Sequence, residues 1–280
     1  MGLSGVIMLV EIAGGLRSGS LALLSDAAHM FTDLSALLLA YLALTFAVMP
    51  GSQRRSYGWY RLEILSTLLN AVLLIGVCGF IFHEAYQRFL SPSEVESGIV
   101  IIVATIGLLV NIVSYAVVSR STASLNLRAA AMHILSDAFT SVGVIASAVI
   151  IRYTGWTAAD PLVSCLIGVV ILFGAFHILR ESVDILLEAT PHHIDPSEIR
   201  ETLQAIPDVS GVHHLHVWSI TSGMPALSVH LIVNDDWFKD AGRNLVEAKQ
   251  ILKRGFDIDH TTIQVESESY ADHANIEWRS

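Results

Sequence analysis

Two short segments, His29-Met-Phe-Thr-Asp33 and His133-Ile-Leu-Ser-Asp137, repeat one spacing, H-x-x-x-D. On a helix, residues four apart stack on one face, so each segment presents an imidazole and a carboxylate side by side. Two such faces turned toward each other supply two nitrogens and two oxygens, a tetrahedral set suited to zinc. Both segments lie inside stretches apolar enough to cross a membrane, where ionisable side chains are costly and mark an ion or substrate path. A lone intramembrane histidine is often only a hydrogen-bonded structural group, but two matched pairs on two helices are poorly explained that way. The spacing predicts a transport site for a divalent metal ion.

The elements that must hold those residues are apolar spans. Of the 280 residues, 53% are hydrophobic and only 15% charged, values that point to a polytopic membrane protein. Six spans are predicted, at about Gly2–Leu16, Leu21–Met49, Gly58–Phe89, Gly98–Val118, Leu127–Tyr153 and Pro161–Leu187. A bilayer core requires about 20 apolar residues per helix. Five spans meet this, and the first falls short. Either the chain lacks an upstream turn or the helix is genuinely short; both readings stay open. Arg54, Arg55, Arg120 and Arg128 crowd the second-to-third and fourth-to-fifth connections, whereas Arg17, Arg88 and Arg152 are spread singly over the others. The arginine-rich side is expected to be cytoplasmic, which puts both termini there. Smaller expectations are that Glu63 pairs with Arg61, that Asn70 bonds a neighbouring helix, that Glu11 lines the cation path, and that Asp26 accepts an imidazole N–H from behind the site.

From Glu188 onward the chain holds fifteen acids, seven bases and eight of the twelve histidines, so this segment carries −8 of the formal −10. An acidic, His-rich appendage suits a divalent cation and argues against nucleic acid, which needs a basic face. Cys78 and Cys165 both fall in apolar spans and make neither a disulfide framework nor a C-x-x-C motif. Asp195-Pro196-Ser197-Glu198 predicts a helix start. Val212–Ile220 and Leu227–Val233 alternate like strands around a turn at Ser222–Pro225. Lys239–Phe256 reads as a second helix closed by Gly255, and Thr261–Glu266 as a last strand. The order αββαβ predicts a small α+β domain close to a ferredoxin-like arrangement. Strand alternation would set His213, Leu215 and Val217 on one face and His214 and His216 on the other. The domains expected are residues 1–188, spanning the membrane, and 189–280, cytoplasmic.

These residues resemble a known family, the cation diffusion facilitators, and most closely the branch of cobalt–zinc–cadmium resistance exporters and animal zinc transporters. The likeness is carried by Ser18 through Asp33, Tyr57-Gly-Trp-Tyr-Arg-Leu-Glu63, the His133/Asp137 pair, Asp160-Pro161, and His213 through Trp218. It implies a homodimeric integral protein of the cell (inner) membrane that exchanges zinc for protons, with a transport site at His29, Asp33, His133 and Asp137. It also implies that a histidine at position 29 favours zinc over cadmium and manganese. In the tail it implies a further metal site at His213, His230 and Glu266. Some relatives have a histidine two residues before that acid, where this chain has Gln264. His260 is the candidate to compensate, but six residues of regular strand would hold it roughly 20 Å away. Neither Pro50–Ser56 nor Ser119–Asn126 carries the histidines or acids of the loop sites found in some members.

The rival readings are a membrane-embedded metalloenzyme and a zinc sensor or structural protein that moves nothing. The first needs H-E-x-x-H or repeated H-x-x-x-H boxes, which are absent, as is a G-x-x-x-x-G-K-[ST] nucleotide loop. The expectation is a transporter and not an enzyme.

Overall fold

The structure is a computed structural model that describes residues 2–47, 54–121 and 125–268. Parts of the second-to-third and fourth-to-fifth connections, and the last twelve residues, lie outside the described residues. Six long helices come first: α1 (Gly2–Ser18), α2 (Leu21–Ala47), α3 (Arg61–Leu90), α4 (Ser97–Val118), α5 (Leu125–Thr154) and α6 (Ala159–Leu186). Their bounds follow the apolar spans within three residues. Five are long and apolar enough to cross a membrane. α1 is the exception: its 17 residues rise only ~25 Å.

The chain divides into two compact units, Met1–Leu42 with Ser66–Leu179, and Ala43–Leu65 with Arg180–Ser280. The core of the first is built from small and aliphatic side chains contributed by five helices, among them Ala22, Cys78, Ala104, Ala148 and Ala175. Small residues let helix backbones approach closely where lipid offers no hydrophobic gain for packing. α1 lies against α4, with Gly14 facing Val103 and Gly107 facing Glu11.

α2, which carries half of the H-x-x-x-D set, takes its N-terminal cap from another helix. Asp160, in the first turn of α6, accepts from the Leu21 N–H at 2.6 Å, the Ala22 N–H at 3.3 Å and the Ser20 hydroxyl at 2.5 Å. The first N–H groups of a helix lack intrahelical partners, and a carboxylate there also complements the helix dipole. Asp160 is only 1% exposed and Arg88 of α3 lies 3.5 Å from it, so the buried charge is paired. Arg88 also donates to the Gly19 carbonyl, in a turn whose φ of +69° suits glycine.

In the second unit, α7 (Pro196–Gln204) begins as expected, the Asp195 carboxylate accepting from the Ser197 N–H at 2.8 Å. β1 (Val209–Thr221) and β2 (Met224–Val233) form an antiparallel hairpin closed by Ser222-Gly223, and β3 (His260–Ser267) adds parallel to β2. A short 3₁₀ turn, Trp237–Asp240, precedes α8 (Ala241–Phe256), giving the order αββαβ in a three-stranded sheet. Ile199 and Leu203 of α7, Leu252 of α8, and the alternating Leu227, Val229, Leu231 and Val233 share one core, so both helices cover the same sheet face.

Three expectations are corrected here. α8 does not close at Gly255, which lies inside it. The left-handed cap is Asp257 (φ +56°), a residue type whose short polar side chain tolerates that conformation. Glu63 does not pair with Arg61: Arg61 bonds Glu188 at 2.8 Å, and Glu63 accepts from the Thr221 hydroxyl at 2.6 Å. Simple alternation fails in β1, where the register shifts between His213 and His216 and His214 has a φ of +48°. The bulge inserts one residue, which is why Val212 and Val217, an odd number apart, are both buried in the same core.

Candidate metal centres

α2 and α5 bring the four expected membrane residues together. His133 Nε2 lies 3.2 Å from Asp33 Oδ2 and 3.9 Å from Asp137 Oδ2. His29 Nε2 lies 3.6 Å from Asp33 Oδ2 and 3.8 Å from Asp137 Oδ1. The two rings meet edge to face, their centroids 6.0 Å apart. Ligand atoms bonded to zinc at ~2.0–2.1 Å in a tetrahedron stand ~3.3 Å from one another. Of the four His–Asp separations, one is already at that value and the other three, at 3.6, 3.8 and 3.9 Å, exceed it by little more than half an ångström at most. His29, Asp33 and Asp137 already offer ligand atoms within 4.8 Å of one another, and His133 closes the set through the carboxylates. Asp137 Oδ1 and His29 Nδ1 are buried without hydrogen-bond partners.

The set lines one wall of a cavity of about 540 Å³. The opposite wall is aliphatic and comes largely from α6, including Val163, Ile167, Val170 and Ile171. Asn70 of α3 also faces this space with its Oδ1 unpartnered, which replaces the helix–helix bond expected of it. His133 is the most open member, its side chain 51% exposed.

Asp26 is placed differently from expectation. Its carboxylate accepts from the Thr140 hydroxyl at 2.8 Å and from Ser141 at 3.4 Å, and not from an imidazole. It ties α2 to α5 one turn from the ligands. Thr140 also reaches the Asp137 carbonyl at 2.8 Å. Sequence reasoning gave Asp160 no role beyond its motif. The available signal was an acid immediately before a proline at a span start, but its partner lies 140 residues away.

The tail cluster is smaller. His213 Nε2 lies 3.1 Å from Glu266 Oε2, and His230 Nδ1 lies 2.8 Å from Glu266 Oε1. The second contact is close but out of line for a hydrogen bond, leaving Nδ1 buried and unbonded. His213 and His230 are direct cross-strand partners, while Glu266 pairs with Ile232 from the other side. Gln264 donates to Glu266 Oε1 at 2.7 Å. The bulge swings His214 into the group, its ring stacked on His230 at 5.0 Å. His260 is not part of it. It opens β3 opposite Ala226, and its ring contacts Tyr57 at 5.6 Å.

A profile described as the cation efflux transmembrane domain matches residues 2–187, and one described as the cation efflux protein cytoplasmic domain matches 191–268. The metal cation efflux system protein CzcD of Cupriavidus metallidurans is 42% identical over 95% of this chain and 84% of its own length. The zinc transporter ZitB of Escherichia coli K12 is 41% identical over 95% of this chain and 85% of its own. The cadmium, cobalt and zinc/H(+)-K(+) antiporter of Bacillus subtilis 168 is 36% identical over 94% and 86%. A solved structure of the metal-bound C-terminal domain of the CzcD transporter is 38% identical, covering 26% of this chain and 99% of that one, with a TM-score of 0.25. Such relatives are transporters and not enzymes, and five membrane-length helices make this an integral membrane protein. The chain belongs to the cation efflux family.

Proposed function

We propose that this protein exports zinc from the cytoplasm in exchange for protons, with His29, Asp33, His133 and Asp137 as the transport site. The observation that carries the reading is the convergence of two imidazoles and two carboxylates, at 3.2–3.9 Å, on the wall of a 540 Å³ cavity. Four protein ligands replace the water that zinc sheds on leaving solution, and an N₂O₂ set suits zinc, with cobalt or cadmium as poorer cargo. The ligands must be deprotonated to bind, so protons and metal compete for the same atoms and exchange becomes possible. The zinc named for the E. coli relative and the proton named for the B. subtilis relative support the same cargo and counter-ion.

Because the site residues sit on α2 and α5, movement of these helices against the α6 wall would open the site first to one side and then to the other. Residues 1–188 form the membrane domain in this reading. Residues 189–280 form a cytoplasmic metal-binding and dimerisation domain, a three-stranded variant of the ferredoxin-like arrangement. The arginine distribution supports cytoplasmic termini; the cell (inner) membrane is the location that goes with export from the cytoplasm. Zinc at His213, His230 and Glu266 would be regulatory, drawing two tails of a homodimer together. The test is zinc uptake into proteoliposomes under an imposed pH gradient. Wild-type protein should accumulate zinc with the gradient and stop when it is collapsed. Equal uptake without a gradient would reject proton exchange, and no uptake by well-folded protein would favour a sensor.

A further inference from the structure

Glu11, expected from the sequence to line the cation path, is not among the residues lining the cavity at the four His and Asp side chains. It sits in the middle of α1, is 1% exposed, and its Oε2 is buried with no hydrogen-bond partner. Its other oxygen fills the notch above Gly107 of α4. A Cβ at that position would lie 2.8 Å from Glu11 Oε1 and 3.9 Å from the Ser141 hydroxyl, so no larger residue fits without moving the carboxyl. Ser141 in turn bonds Asp26, which Thr140 links to the backbone of Asp137. Hydrogen bonds therefore link Asp137 to Asp26 and Ser141, and Ser141 borders the same notch at Gly107 that the Glu11 carboxyl fills.

The charged groups facing Glu11 are Asp26 from α2 and Asp137 from α5. Those facing Asp26 are His29 from its own helix and Asp137. Glu11 thus has acidic neighbours and no compensating cation among these groups. A carboxylate charge held there with one oxygen unbonded is costly, and a proton removes that cost.

We propose that Glu11 is a proton-binding site separate from the metal ligands, loaded when the transport site is empty and emptied when a divalent cation binds. The proposal rests on the exporter reading and deepens it. A dication at Asp33 and Asp137 cancels the negative charge that faces Glu11. The ionised carboxyl then costs less to keep, and its proton leaves to water as the metal arrives. When the metal departs, the repulsion returns and a proton is taken up. Coupling of this kind is reciprocal, so a proton on Glu11 must weaken metal binding to the same degree that metal weakens the proton.

The experiment counts protons released per zinc bound to full-length protein in detergent, by calorimetry in buffers of different ionisation enthalpy. All samples carry His213→Ala and His230→Ala to silence the tail. Relative to that parent, Glu11→Gln should still bind zinc but release close to one proton fewer per ion. Glu11→Met, of similar volume and with no hydrogen-bonding demand, should do the same and serves if the glutamine variant does not fold. Glu11→Asp should keep most of the release. An unchanged proton count in a folded Gln or Met variant overturns the proposal while leaving the exporter intact. A parent that binds no zinc overturns both.

Discussion

The membrane site and the tail cluster use the same chemistry, imidazole against carboxylate, on opposite kinds of scaffold. In the first unit two helices each supply a His–Asp pair four residues apart, and the pairs meet face to face. In the tail each of three strands supplies one ligand, His213, His230 and Glu266, and a bulge adds His214 at its edge. The helical cluster gathers four candidate ligands on the wall of a cavity, as the proposed cargo role requires. The strand site has three, with one carboxylate serving both imidazoles, which suits an ion shared with a second chain. A duplicated helical pair makes a site that can part as its helices move. A sheet holds its ligands in register.

That contrast breaks first at the ligands. Asp33→Ala or Asp137→Ala should abolish zinc flux while leaving a monodisperse protein. The loss in zinc affinity should exceed the ~10–100-fold typical of residues that only support a ligand. Vesicle flux and equilibrium zinc binding check this together, and wild-type flux in Asp33→Ala would remove that residue from the site.

Next in size is the cap that positions α2. Asp160→Ala removes three hydrogen bonds and one carboxylate partner of Arg88, which keeps Glu84 and the Gly19 carbonyl, so the loss should fall at or below the ~3–5 kcal/mol of a broken buried charge pair. A marked fall in the melting temperature of the detergent-solubilised protein is expected, with Asp160→Asn losing less. An unchanged melting temperature would show that α2 is held by packing alone.

His29→Asp sharpens the comparison from the side of selectivity. A third carboxylate, able to bind through one or two oxygens, makes the site more anionic and relaxes the tetrahedral preference for zinc, so the zinc-to-cadmium flux ratio should fall. If competition assays return the wild-type ratio, His29 does not set the preference.

The smallest effect belongs to the tail. His213→Ala with His230→Ala should move the zinc dependence of flux about 5-fold or more to higher concentration and keep most of the maximal rate, because a regulatory ion acts only through its coupling to the cycle. Complete loss of flux would place the tail in the pathway. An unshifted curve would make these histidines bystanders.

What the sequence disclosed follows the range of the interactions. The six helices and the two H-x-x-x-D faces were legible because both depend on spacing within a few residues. The αββαβ order was legible from capping and alternation. Asp160 as the cap of α2, and Glu63 and Arg61 with partners 158 and 127 residues away, were not. No local pattern encodes which distant end a side chain will meet. The bulge at His214 was hidden because one inserted residue reverses every face assignment beyond it, and only Val217 packing beside Val212 reveals the change. His260 dropped out for the opposite reason: β3 is regular from its first residue, so the ~20 Å separation from Glu266 stands.

The central claim is that one zinc ion is held in the membrane domain by His29, Asp33, His133 and Asp137. Zinc X-ray absorption on full-length protein carrying His213→Ala and His230→Ala tests it most directly. One equivalent of zinc with four nitrogen or oxygen ligands at ~2.0–2.1 Å, including two imidazoles, is the predicted result, and the signal should be lost in Asp137→Ala. Sulfur ligands, or an undiminished site after Asp137→Ala, would contradict it.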